Sequence, residues 1–93
     1  MITSDDGRIQ VAGPMVMATA TEVKAEGEAA LVAGAHSVDL SAVTDVDSSA
    51  VAVLLAWTRL ARQRGQEFAI TQPPAAIRSL AVLYGVAEML PLA

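Results

Sequence analysis

The chain has 93 residues, no cysteine, a formal net charge of −4 and a pI near 4.6. That length gives one compact domain with a core of limited size; absent cysteines exclude a disulfide framework or thiolate metal site, and the acidic balance argues against nucleic acid. Hydrophobic residues make up 54% but aromatics only 3%, so the core is built from Val, Leu, Ile and Ala, and some apolar surface is left outside as a contact patch.

The acidic opening M-I-T-S-D-D-G is unlike a signal peptide. R-I-Q-V-A-G then alternates Ile9 and Val11 with Arg8 and Gln10, which predicts a half-buried strand over 8–12 closed by Gly13-Pro14. A-T-A-T-E-V-K-A-E-G-E-A-A-L-V-A-G predicts a helix at about 19–33, capped by Thr19 or Thr21 and ended by Gly34. Its apolar stripe of Val23, Ala30, Leu31 and Ala33 is weak, and Gly27 costs it about 1 kcal/mol relative to Ala. H-S-V-D-L-S reads as a second strand at 36–41, with Val38 and Leu40 on one face. The turn A-V-T-D-V-D leads into a helix at 48–64 that stops at Gly65. Q-E-F-A-I-T gives a third strand at 66–71, and Gln72-Pro73-Pro74 open a helix over 74–84 ended by Gly85. The tail V-A-E-M-L-P-L-A adds a short turn. Strands alternating with helices predict an α/β domain, helices packed on one face of a small, mainly parallel sheet. No apolar run approaches the roughly 20 residues that cross a bilayer, so direct membrane insertion is not expected.

The stretch D-V-D-S-S-A-V-A-V-L-L at 45–55 sets two carboxylates and two hydroxyls before an apolar run. Asp47 or Ser48 serves as N-cap, with Asp45 supporting the turn and Val46 pointing to the core. Acidic groups beside a helix N-terminus favour the macrodipole and need no catalytic explanation. On a helical wheel Ala50, Val51, Val53, Leu54, Trp57, Leu60 and Ala61 form the core arc. The opposite arc holds Ser48, Ala52, Leu55, Ala56, Arg59, Arg62 and Gln63. Its first half is small and flat and its second half basic, where a solvent-facing helix would carry Glu, Lys and Gln throughout.

An enzyme is the weakest reading. His36 is the sole histidine and sits at a strand start, there is no G-x-x-x-x-G-K-[ST] loop, and Ser48 has no evident base. Arg59, Arg62 and Arg64 read as a solvated face, and Trp57 and Tyr84 as core or rim packing. No catalytic set, metal site or cofactor is expected.

V-D-L-S-A-V-T-D-V-D-S-S-A-V-A-V-L-L resembles the signature of STAS domains, in which a strand ending in D-L-S precedes a turn and then D-S-S-G or D-T-G-G at a helix start. Ala50 stands where that pattern has Gly. The similarity continues through A-W-T-R-L-A-R-Q-R-G and I-R-S-L-A-V-L-Y-G-V-A-E-M-L-P, which resemble the MlaB-type STAS subunit of bacterial Mla phospholipid transporters. The resemblance implies a STAS fold and a cytoplasmic accessory subunit bound to an ABC-transporter ATPase (MlaF-type), in a complex with permease and lipid-binding subunits. It also implies that partner-binding residues are Asp47, Ser48, Ser49, Ala52, Leu55, Ala56 and Arg59. The alternative it carries is an anti-sigma-factor antagonist acting as a phospho-switch, with Ser48 as the phosphorylation site.

Overall fold

The computed structural model describes residues 2–92. Two strands, β1 (Ile2–Asp5) and β2 (Arg8–Met15), open the chain as an antiparallel hairpin, followed by helix α1 (Met17–Val32). Strand β3 (Ser37–Val46), helix α2 (Ser48–Gln63), strand β4 (Ala69–Thr71) and helix α3 (Ala75–Leu83) complete the alternation, and a 3-10 turn spans Ala87–Met89. The sheet order is β1-β2-β3-β4, with β2-β3 and β3-β4 parallel. The expected α/β architecture with a mainly parallel sheet is therefore present.

One sheet face is apolar: Ile9, Val11, Val38, Leu40 and Ile70 point into the core with Val23 and Leu31 of α1, Leu54 and Trp57 of α2, and Ile77 and Ala81 of α3. The alternating positions Arg8, Gln10 and Ser41 are exposed, as the two-residue period of a one-sided sheet requires.

Four strand boundaries differ from the sequence expectation. The opening is a strand, because Asp6 (φ 52) and Gly7 (φ 79) form a two-residue turn between Asp5 and Arg8, the left-handed pairing that Asp-Gly favours. β2 does not close at Gly13-Pro14 but runs to Met15, pairing Gly13 with Val43 and Met15 with Val46. The pairing of β1 with β2 runs from Asp5–Arg8 to Ile2–Val11, so among the described residues Pro14 lies beyond it, where the missing N–H is tolerated. β3 continues to Val46, through all but the last residue of the expected turn at 42–47, and Asp45 is an exposed strand residue that braces no turn; its carboxylate accepts only from Thr44 Oγ1 at 3.4 Å among the described hydrogen bonds. Register shifts let β3 gain residues on β2, and in the first the Ser41 amide donates to Asp39 Oδ1 at 2.7 Å. That bond lowers the Asp39 pKa. β4 is short, beginning at Ala69, with Ile70 bridging to Leu92 and its amide donating to Pro91 O at 2.9 Å.

α1 begins at Met17 with Val16 as its cap residue, so neither Thr19 nor Thr21 is the N-cap. Thr19 instead sits one turn in, where its hydroxyl accepts from the Val16 amide at 3.1 Å and donates to Pro14 O at 2.9 Å. Gly27 is buried against the indole of Trp57, whose Nε1 donates to Lys24 O at 3.0 Å. The helices meet closely there because no side chain stands between them.

Candidate functional site

α2 is placed by its first residue before the helix. Asp47 has extended backbone, and its Oδ1 accepts from the Ser49 amide at 2.8 Å, the N-cap geometry. Its Oδ2 accepts from the Met17 amide at 3.0 Å, so one carboxylate satisfies orphan donors at the starts of two helices. The Met17 amide bond, with that from Ser49, holds the Asp47 pKa below the usual carboxylate value. Asp47 is thus a structural clamp, and Ser48 is left as the first helical residue, exposed.

The core arc of α2 is as expected, with Ala50, Val51, Val53, Leu54, Trp57 and Ala61 buried. Leu60 is only half-buried, and Thr58 joins the interior because its hydroxyl donates to Leu54 O at 2.8 Å. On the outer arc Ser48, Ala52, Arg59, Arg62 and Gln63 are exposed, Leu55 and Ala56 half-buried, and Ser49 half-buried beside α1. Arg64 does not share that basic face: its Nε donates to Gln66 Oε1 at 2.7 Å and its Nη2 to Val32 O at 3.4 Å.

Two shallow depressions flank Ala52. One, of about 250 Å³, lies toward α1 and is lined by Ala20, Thr21, Lys24, Ser49, Ala52 and Val53. The other, of about 240 Å³, lies toward the end of α3 and is lined by Ser48, Val51, Ala52, Leu55, Tyr84 and Val86. The structure therefore brings Ser48, Ser49, Ala52 and Leu55 together on one surface, with Ala56 and Arg59 further along the same helix. Tyr84 is not core but 53% exposed, and it and Val86 join Ser48 across a gap of more than thirty residues that sequence alone does not bridge.

The bare face of the sheet carries a wider concavity of about 720 Å³, lined by Arg8, His36, Asp39 and Glu67 among others. Its charges are mixed, and His36 is exposed, its amide tied to Gly7 O at 2.7 Å. Among the described residues there is no cluster of metal-ligating side chains, and no helix is long and apolar enough to cross a membrane.

A family model described as "Mlab, STAS domain" matches residues 1–91. The chain belongs to the STAS-domain family. No curated protein sequence matches this STAS domain. Solved structures similar to it include the anti-sigma factor antagonist SpoIIAA in its unphosphorylated form, at 16% identity and a TM-score of 0.72, covering 100% of this chain and 86% of that one. An anti-sigma factor antagonist from Mycobacterium paratuberculosis aligns with a TM-score of 0.74 at 22% identity, covering 99% of this chain and 81% of the other. At such identities these likenesses speak for the fold of the STAS domain.

Proposed function

We propose that this STAS domain is a non-catalytic accessory subunit of an Mla-type phospholipid-transporting ABC complex, binding the cytoplasmic ATPase through the outer face of α2. The observation that carries the reading is the strip Ser48, Ala52, Leu55 and Ala56, small and open at the start of a helix whose other side is committed to the core. The MlaB description of the matching family supports the choice of partner. In this role the domain carries no lipid and hydrolyses no ATP. It sits in the cytoplasm, held at the inner membrane by the complex of ATPase, permease and lipid-binding subunits that maintains outer-membrane lipid asymmetry. Supporting an assembled, active ATPase requires that it bind that conformation more tightly than the others.

A second reading, an anti-sigma-factor antagonist switched by phosphorylation of Ser48, is favoured by the structural neighbours described as such antagonists. Ser48 is exposed on the first helical turn, where the added charge of about −1.5 to −2 is compatible with the helix but not with an apolar contact.

Both substitutions Ser48→Asp and Ala52→Glu fall off the core arc, so each variant melts like wild type. An unpaired charge forced into a contact costs several kcal/mol, against about 8 kcal/mol for a micromolar complex. Each variant therefore loses a full-length MlaF-type ATPase of the same organism in a pull-down. Full retention by Ser48→Asp, with an unchanged melt, would remove the α2 face as the interface; capture only by a kinase-type anti-sigma factor would select the second reading.

A further inference from the structure

α3 has only nine residues and buries Ile77 and Ala81, one turn apart, against the core. Its end then exposes a run of large apolar side chains: Val82 at 70%, Leu83 at 74% and Tyr84 at 53%. The last turn carries no basic residue, and its carbonyls at Leu80, Ala81 and Val82 accept from the amides of Tyr84, Val86 and Gly85. Of this run Tyr84 lines the depression of about 240 Å³, where it and Val86 face Ser48, Ala52 and Leu55, while Val82 and Leu83 line a separate one with Arg78 and Ser79. Apart from the hydroxyls of Ser48 and Tyr84, that cradle is lined by the Tyr84 ring and by the aliphatic side chains of Val51, Ala52, Leu55 and Val86.

Charge says what stands over it. Leu55, Arg59 and Arg62 are spaced four and three residues apart on α2, so the two cations lie on the same face one and two turns beyond the cradle. Both are exposed, and the one ion pair among the described residues, Lys24–Glu28, involves neither. In a chain of net charge −4 this is a local basic strip running out of an apolar seat. Its complement is an acidic one.

We infer that the docking surface continues from α2 onto the end of α3, and that its occupant is a partner helix with one large apolar side chain seated against Tyr84. Carboxylates one to two turns along that helix face Arg59 and Arg62. The inference rests on the ATPase reading above and assigns Tyr84 as the aromatic anchor of the contact. Tyrosine suits that part, offering a rigid apolar ring with a polar tip.

The test measures equilibrium binding of a full-length MlaF-type ATPase from the same organism to wild type, Tyr84→Ala, Tyr84→Phe, Arg59→Glu and Ser48→Asp, with thermal melts of each. Tyr84→Ala raises Kd about tenfold or more, Tyr84→Phe changes it less than about threefold, and neither moves the melt, because the ring is half outside the fold. Arg59→Glu weakens binding and flattens its dependence on salt. If Tyr84→Ala binds like wild type while Ser48→Asp does not bind, the interface is real but excludes α3, and this inference alone fails. If Tyr84→Phe is as damaging as Tyr84→Ala, the apolar seat is refuted. If wild type does not bind the ATPase, or Ser48→Asp binds fully, the docking reading and this inference fall together.

Discussion

Replacing Gly27 with alanine sets two effects of opposite sign against each other. Helix propensity alone favours alanine by about 1 kcal/mol in a helix interior. Packing opposes it, because an added Cβ would lie 2.2 Å from Cε2 and Cζ2 of Trp57 and 2.5 Å from its Nε1. Ordinary carbon contacts begin near 3.5 Å, so the gap has to widen by roughly 1.3 Å. The ring has little room to retreat: Trp57 is 0% exposed and its Nε1 is held by Lys24 O at 3.0 Å. α1 and α2 have to part, an overpacking cost of about 1–3 kcal/mol, and the indole swings with them and leaves its N–H unpaired, a further cost of about 1–3 kcal/mol. Less the propensity gain, the variant is destabilised by about 3 kcal/mol. For a domain of this size each kcal/mol is worth about 4–8 °C, which puts the fall in Tm at roughly 15 °C. Far-UV circular dichroism melts of Gly27→Ala, Trp57→Phe and the double variant measure it. The smaller Phe ring relieves the clash, so the double variant melts above the sum of the single losses. A Gly27→Ala protein that melts at or above wild type would refute the wedge.

Leu54→Ala, at a fully buried position facing the sheet, lowers stability by about 2–5 kcal/mol in urea unfolding, with an unchanged denaturant slope. Asp47→Ala destabilises at neutral pH because it frees two helix-start amides at once. Its pH dependence follows from the lowered pKa: the contribution of Asp47 is fully present above the ordinary carboxylate pKa of 3.8 and is lost as pH falls through the lower folded value. Melts of wild type and Asp47→Ala from pH 7 to pH 2 therefore converge at the acid end, and a constant gap across that range counts against the clamp.

α2 is readable because its period, its cap residue Asp47 and its stop at Gly65 all point to one helix, and the structure follows the wheel except that Leu60 is half-buried and Thr58 is drawn into the interior. α1 was harder to bound and to orient: its buried positions Val23, Gly27 and Leu31 form a stripe one residue wide, and glycine in it reads as a breaker rather than as a contact. β3 reads as shorter than it is because Ser41, Asp45 and Asp47 are turn formers that outweigh the strand-favouring Val43, Thr44 and Val46 between them, and the extended form comes from pairing with β2, a contact between segments some thirty residues apart. The first strand had a local signal in Asp6-Gly7, whose value appears only when both flanks are read as strand. In the candidate site, the α2 residues were legible from helical spacing. Tyr84, Val86 and the Met17 amide were not, since each reaches the site through tertiary packing.

Trp57 is the sole tryptophan of the chain and lies on the same helix as Ser48, but on the arc turned into the core. Its light emission is therefore an internal gauge of whether α1 and α2 remain closed on each other. A partner seated on the outer arc leaves that gauge unmoved, whereas loosening of the core shifts it to longer wavelength. One spectrum of the isolated protein thus separates a substitution that spoils recognition from one that spoils the fold. The arrangement confers this because the helix that meets the partner is also the one that carries the chromophore, with its two faces optically independent.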